Sequence, residues 1–293
     1  MPDVNALLKS IISSFPNTAW THYRYLDEGW DHAVIILDEQ QVFRFPLDQQ
    51  YRSLLSKEIT ILEQLRPHIK LPIPEYNLID RNYSFAAYPI IKGQALTNEA
   101  MNSLASDQRS LVKGQLAEFL TTIHTLDSRQ LDLALVSLSD LPSYHSMLKK
   151  QAPKLLRNAI TVKEYVAVEK ALEEVDRLLT QHMPRVFLHG DIYSRHLLWD
   201  APNSQLGIID FSDMNIGDPA YDFAELYEYG KQFVEDVYDR YQGAKDEAFL
   251  RRAWNYQKHI AVYMMIDHFL NHKTSFKIAR QTFDRVLEQA YFD

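Results

Sequence analysis

The chain has 293 residues and no cysteine, and 39 acidic against 31 basic side chains leave a net charge of −8. Disulfides, thiolate catalysis and cysteine-ligated zinc are therefore excluded. A surface that binds nucleic acid through basic charge is not expected, whereas the acid excess suits a cationic partner. At 46% hydrophobic and 24% charged, the composition is that of a globular protein able to bury a core, and the length suits two lobes better than one small domain. Met1-Pro2-Asp3-Val4-Asn5 opens no basic segment followed by a long apolar run, so no signal peptide is expected. Runs such as Ala33-Val34-Ile35-Ile36-Leu37 are too short to span a bilayer. The cytoplasm is the expected compartment, with no membrane partner.

Val4 to Ser14 repeats Val4, Leu7, Leu8, Ile11 and Ile12 at helical spacing. Two short β-rich runs follow, Ala33 to Leu37 and Gln41 to Phe45, with Asp38-Glu39-Gln40 as a hairpin turn that lacks the usual glycine. Ser53 to Leu65 puts Leu54, Leu55, Ile59, Leu62 and Leu65 on one helical face, and Pro67 stops it. Pro72 and Pro74 mark an extended connection. Ser84 to Ile91 is a third β-like run, broken by Pro89 and ended by Gly93. Asp107 to Leu126, with Ser106 as N-cap, and Glu164 to His182 read as helices, separated by a polar, proline-containing region from Asp127 to Pro153. Three short strands come next, Arg185 to Leu188, Leu197 to Trp199 and Leu206 to Asp210, and helical periodicity dominates from Ala220 to the end. No internal repeat or low-complexity segment is visible. Strands first and helices later predict an α+β arrangement.

The chemistry concentrates in His189-Gly190-Asp191-Ile192-Tyr193-Ser194-Arg195-His196, followed by Leu206-Gly207-Ile208-Ile209-Asp210-Phe211. One carboxylate stands on a loop with a histidine five positions later. A second ends a strand of small and branched apolar residues. Phosphoryl transfer needs this equipment: one carboxylate orients an attacking hydroxyl, and others hold magnesium against the phosphates. Positioned charge is then most of the catalyst. Taken alone, Asp191 reads as a turn aspartate that caps local backbone; for Arg44, a solvent-facing place on an alternating strand is the plain alternative to a phosphate-binding one.

The ordered set His189-Gly190-Asp191, His196, Ile209-Asp210-Phe211 and Asp218-Pro219-Ala220-Tyr221-Asp222, with Gly29-Trp30-Asp31-His32, Phe43-Arg44-Phe45-Pro46 and Glu58 before it, resembles the aminoglycoside phosphotransferase family. Macrolide phosphotransferases share some of the likeness, which runs from about residue 20 to residue 270. The resemblance implies a bilobal α+β, protein-kinase-like fold. Residues 1–91 would form a small β-rich nucleotide-binding lobe with a hinge near 85–92. Residues 92–293 would form a larger, mainly helical lobe with the catalytic loop and acceptor site.

On that resemblance Asp191 is the catalytic base and Asp210 holds magnesium bridging the nucleotide phosphates. His196 stands where the family more often has asparagine. A nitrogen ligand suits magnesium less well than an amide oxygen, so three roles stay open to His196: metal contact, phosphate contact, or bracing Asp191. Arg44 replaces the usual strand lysine, contacting the α- and β-phosphates and pairing with Glu58. Asp27-Glu28-Gly29-Trp30-Asp31-His32 would cover the phosphates with a single glycine. The backbone around Tyr88, Pro89, Ile90 and Ile91 would meet the purine edge, which leaves ATP and GTP both open. Asp213, Glu225 and Glu228 would line the acceptor site. His189, Asp218 and Asp222 would support the catalytic loop.

The leading expectation is a kinase that moves the γ-phosphate of ATP or GTP to a hydroxyl of an aminoglycoside-type antibiotic, working with magnesium and as a monomer. Macrolide, sugar and amino-alcohol acceptors stay open, since family does not fix substrate. Two rival readings exist. The substitutions at Arg44 and His196 would fit a nucleotide-binding module without turnover. His189, Asp191, His196 and Asp210 could also ligate a transition metal in a hydrolase, although no His-x-x-x-His pair on a helix supports this.

Overall fold

The computed structural model describes residues 3–26, 31–127, 131–132, 135–271, 274–289 and 291–292. The chain divides into two compact units, and neither is continuous in sequence. One contains residues 1–96, 127–135 and 195–213; the other contains 97–126, 136–194 and 214–293. The first is β-rich and the second mainly helical, an α+β organisation.

The β-rich unit opens with α1 (Val4–Ser14), whose first turn is capped by the Asp3 carboxylate accepting from the Asn5 amide at 3.0 Å. Strands β1 (Tyr23–Leu26), β2 (His32–Leu37), β3 (Gln41–Pro46), β4 (Leu78–Ile79) and β5 (Ala86–Pro89) form one antiparallel sheet in the order β1-β2-β3-β5-β4. β1 carries little apolar alternation and escapes a periodicity reading. The β2–β3 turn uses Asp38 and Glu39 at φ 49° and 50°. Two successive left-handed residues make a tight turn within the three-residue loop, closed by the Gln40 amide donating to the Leu37 carbonyl at 2.9 Å, and aspartate tolerates that region better than most residues. The Asp38 carboxylate also accepts from the Thr21 and His22 amides, at 3.0 and 2.9 Å.

Alternation along β3 sends Phe43 and Phe45 to one face, where they pack with Phe85, Ile35 and the Leu8 and Ile11 side chains of α1. Phe45 stacks on Phe85 at 4.8 Å between ring centroids. Burying Leu8 and Ile11 stabilises the docking of α1 by roughly 1.5–3 kcal/mol each. Helix α2 (Gln49–Leu65) starts four residues earlier than its apolar pattern suggests, because the Asp48 carboxylate caps it through the Tyr51 amide at 3.1 Å. Pro67 does not end the path outright; it sits in a short 3-10 turn, Arg66–His68. A second sheet of the same unit joins β6 (Gln94–Ala95), β8 (Leu197–Asp200) and β9 (Gln205–Ile208) in the order β6-β8-β9. Gly93 precedes β6 at φ 126°, and a Cβ there would lie 2.8 Å from the Trp199 carbonyl carbon. Only glycine combines that backbone angle with so close an approach.

The helical unit contains α3 (Asn98–Ser103), α4 (Ser106–His124), α5 (Leu141–Leu155), α6 (Val162–Leu179), α7 (Lys231–Arg240), α8 (Phe249–Leu270) and α9 (Phe276–Glu288). A strand pair, β7 (Val186–Leu188) with β10 (Asn215–Gly217), belongs to it. Three expectations change here. The region from Asp127 to Pro153 contains α5, which tolerates Pro153 in its final turn. The N-cap of α4 is Ala105, with Ser106 already helical; the Ala105 amide donates to the Gln108 side chain at 3.3 Å. The stretch from Ala220 does not begin as an α-helix: two 3-10 turns, Pro219–Phe223 and Glu225–Tyr229, precede α7. Asp222 therefore lies inside a 3-10 turn and does not open a helix. Among the described residues, no helix is long and apolar enough to cross a membrane.

Candidate active site

The β-rich unit builds its polar centre on the face of β3 opposite Phe43 and Phe45. Arg44 is 4% exposed there and Glu58, on the inner face of α2, is 0% exposed. Arg44 Nη1 donates to Glu58 Oε1 at 2.7 Å and to the Tyr76 hydroxyl at 2.9 Å, and that hydroxyl donates to the same Glu58 oxygen at 3.0 Å. Arg44 Nη2 donates to Asp210 Oδ1 at 3.0 Å and to Ser212 Oγ at 2.9 Å. One planar fork thus joins strand, helix and the segment after β9, which a lysine could not do with the same fixed geometry. Burial works to lower the Arg44 pKa, but Glu58, Tyr76 and Asp210 hold it well above its ordinary value. Burial pushes the Glu58 carboxyl up to about 7, against the pull of Arg44.

β9 ends at Ile208, two residues before Asp210; the Ile209 amide still donates to the His196 carbonyl at 3.1 Å. Asp210 itself sits at φ 64°. A non-glycine residue held in this region costs about 1–3 kcal/mol and is found where surrounding contacts over-determine it. Ser212 Oγ donates to Asp210 Oδ1 at 2.5 Å, and His196 Nε2 lies 3.5 Å from Oδ2. Burial tends to raise the Asp210 carboxyl. Arg44, then His196 and the Ser212 hydroxyl, hold it well below the usual carboxylate range. The side chain is 33% exposed, so an anionic oxygen remains open to a ligand.

That donor set fits a hard divalent cation. Magnesium needs only one or two carboxylates because it keeps several waters, and Asp210 with the neighbouring His196 would hold it. Among the described residues, no group of three or more His, Asp or Glu is placed to cage a metal.

Residues 27–30 of the expected phosphate-covering loop lie outside the described residues. Of its last two, Asp31 Oδ2 lies 2.9 Å from His32 Nδ1, and Arg44 Nη2 lies 3.2 Å from the same nitrogen. Burial and Arg44 lower the His32 pKa, against the pull of Asp31. Tyr88 packs on Ile36 and Val42, with its ring edge-on to Tyr76 at 5.2 Å. The Ile90 amide donates to the Gln40 carbonyl at 2.7 Å. Ile91 follows directly, and Asp213 is exposed at the end of the unit's last segment.

The helical unit holds the other motif residues. After β7 the chain turns through His189 and Gly190, the latter at φ 87°. Asp222 accepts from the His189 amide through Oδ2 at 2.9 Å and from the Gly190 amide through Oδ1 at 2.8 Å. His124 Nε2 donates to Asp222 Oδ2 at 3.0 Å, which leaves Nδ1 to accept from the Tyr241 hydroxyl at 2.9 Å. His189 is fully buried, edge-on to Phe119, and its Nδ1 accepts from the Asp191 amide at 3.3 Å. The backbone on both sides of Gly190 is therefore tied down immediately before Asp191.

Asp218 caps the first 3-10 turn through the Ala220 amide at 3.1 Å and takes a two-pronged ion pair from Arg252, at 2.8 and 3.2 Å. The Tyr256 hydroxyl donates to it at 2.9 Å. Glu225 and Glu228 lie on the second 3-10 turn, and Glu228 accepts from Ser194 Oγ at 3.0 Å, three residues beyond Asp191. Sequence reasoning missed Tyr76, Ser212, His124, Tyr241 and Arg252. Each is remote in sequence from its motif or lacks a local pattern; only a buried polar residue on an otherwise apolar helix face, as His124 is on α4, could have signalled one.

Comparison with known proteins bears on the family and the fold. The model of the phosphotransferase enzyme family, APH, matches residues 22–256. The structure of the GDP and kanamycin complex of APH(2")-IIia superposes with a TM-score of 0.85 at 23% identity, covering 97% of each chain. The streptomycin-ATP-APH(2")-IIa ternary complex gives 0.69 at 22% identity over 91% of each chain. The macrolide 2'-phosphotransferase MphH from Brachybacterium faecium, as apoenzyme, gives 0.66 at 16% identity over 97% of each chain.

Proposed function

Because the chain belongs to the phosphotransferase enzyme family, with a protein-kinase-like fold, we propose that it transfers the γ-phosphoryl group of ATP or GTP to a hydroxyl of an aminoglycoside-type antibiotic. The observation that carries this reading is the Arg44 bridge between Glu58 and Asp210, a buried cation set beside a partly open carboxylate. Arg44 holds phosphate oxygens with a rigid pair of donors. Asp210 and His196 would hold magnesium, which would supply positive charge against the phosphate oxygens. Asp191 takes the proton of the acceptor hydroxyl as the new oxygen–phosphorus bond forms and the bond to the leaving diphosphate breaks. Asp222 fixes the backbone that carries Asp191, and His124 and Tyr241 fix Asp222. Glu225, Glu228 and Asp213 supply carboxylates for the ammonium groups of the acceptor. The acid excess of the chain favours such an acceptor.

Single-turnover mixtures with ATP and with GTP, each offered aminoglycosides, macrolides, sugars and amino alcohols, test the proposal. Mass spectrometry should show one phosphate added to an aminoglycoside. Asp191→Asn should lower turnover by about 10²–10⁴-fold while nucleotide binding persists. Labelling of a macrolide alone would move the acceptor assignment. Nucleotide binding with no labelled acceptor would favour a module without turnover.

A further inference from the structure

Helix α6 carries Ala167 and Ala171 one turn apart, where small side chains leave space against α8 and α9. The space is a cavity of about 110 Å³. Trp254 and Val262 of α8 and Phe283 and Val286 of α9 wall it with buried apolar surface. Trp254 is fixed by ring contacts with Tyr227 at 4.9 Å and Tyr291 at 4.8 Å between centroids. The rest of the lining is polar: Lys170, Lys258 and Gln289 reach the cavity, and no acidic residue lines it. The Lys258 side chain is 15% exposed and pairs with Glu174. Among the described residues Glu174 is its one acceptor, which leaves further ammonium hydrogens unmet. Gln289 Oε1 is buried and accepts from no group among the described residues. A cation short of acceptors and an amide oxygen short of a donor thus share one mostly apolar chamber. Buried polar atoms of this kind are completed by a water or a ligand. None of these residues takes part in the phosphoryl-transfer arrangement described above.

We propose that this cavity binds a small hydroxyaryl carboxylate: the carboxylate accepts from Lys258 with Lys170 beside it, the ring lies against Trp254 and Phe283, and the hydroxyl donates to Gln289 Oε1. Three features select that chemistry. Two lysines and no acid in the lining favour an anion. Aromatic walls favour a flat ring over a branched chain. Size sets the limit, since an apolar cavity of about 150 Å³ takes up benzene, so one ring is the largest body that fits and its charged group stays with the lysines. Water could meet Lys258 and Gln289 but gains nothing from the apolar walls, whereas the ligand satisfies both. The site stands independently of the phosphotransferase reading.

Fluorine NMR of the full chain labelled with fluorotryptophan tests this, because Trp254 is one of four tryptophans and Trp254→Phe identifies its signal. Three probes separate the contacts: para-hydroxybenzoate, benzoate without the hydroxyl, and para-hydroxybenzamide without the charge. The first should shift the Trp254 signal saturably, with a Kd on the order of 1 mM. Benzoate should bind about two- to tenfold more weakly and the amide about ten- to hundredfold more weakly. Ala167→Leu fills the cavity and should abolish the shift. Lys258→Met should bind the acid and its amide alike; the wild-type series decides the question even if this variant does not fold. A Trp254 signal unmoved by the acid at about 10 mM would overturn the proposal. So would equal affinity for the acid and its amide, or a shift that survives Ala167→Leu.

Discussion

Buried titratable side chains set much of this protein's behaviour one residue at a time. His145 Nε2 donates to Asp176 Oδ1 at 2.9 Å, so its Nδ1 accepts from His259 Nε2 at 3.2 Å. Burial, then the neighbouring His145, lowers the His259 pKa from 6.5 to about 3. A folded-state pKa below the unfolded one means the unfolded chain binds the proton first. The stabilisation is therefore complete above pH 6.5 and is lost as pH falls toward 3. The slope is about 1.4 kcal/mol per pH unit. His259→Gln, which keeps a donor for His145, should flatten the stability profile across that window relative to wild type in denaturant titrations. An identical slope in both proteins would show that His259 is already protonated in the fold. At this scale the sequence was legible where a motif names its residue. Arg44 and Glu58 are paired and Asp222 holds the His189-Gly190 backbone, as the family pattern implies. Tyr76 and Tyr241 were not legible, because a tyrosine in a loop carries no period and no spacing to read.

Among elements, periodicity found those with one apolar face and lost those without. α1, α2 and α6 repeat their buried residues every three to four positions and were anticipated within a few residues. α5 was hidden by Pro153, and β6 and β10 were too short, at two and three residues, to alternate visibly. α2 gained its first turn from a capping side chain outside the apolar stripe. The path from β5 into β6 turns on Gly93, where both the φ of 126° and the 2.8 Å approach to Trp199 exclude a side chain. Gly93→Ala should destabilise the protein by on the order of 1–3 kcal/mol, measurable as a lower denaturation midpoint. A midpoint unchanged from wild type would mean that the segment relaxes without penalty.

For the whole molecule, the motif block that reads as one run does not belong to one body. His189, Asp191 and Ser194 are in the helical unit, His196 and Asp210 in the β-rich one, and Asp218 and Asp222 again in the helical one. A single division of the sequence near residue 91 cannot express that exchange, because contact between distant segments decides membership and texture along the chain does not. Net charge, in contrast, is fully legible and has a consequence for rate. At −8 the protein should attract a polycationic acceptor, so kcat/KM should fall severalfold as salt rises from about 0.02 to about 0.2 M. A neutral acceptor run in parallel should show no such fall. Equal salt responses for both would place acceptor recognition outside long-range electrostatics.

The fork of Arg44 already has carboxylate and hydroxyl oxygens at every position that a phosphate would want. If the proposed function holds, loading would trade one anion for another, and only the difference between the two bonds would count toward grip. The arrangement keeps the arginine from lying bare in the core, and it would give Asp210 a partner to return to when spent diphosphate leaves. On that reading the resting molecule carries its own stand-in for the cargo.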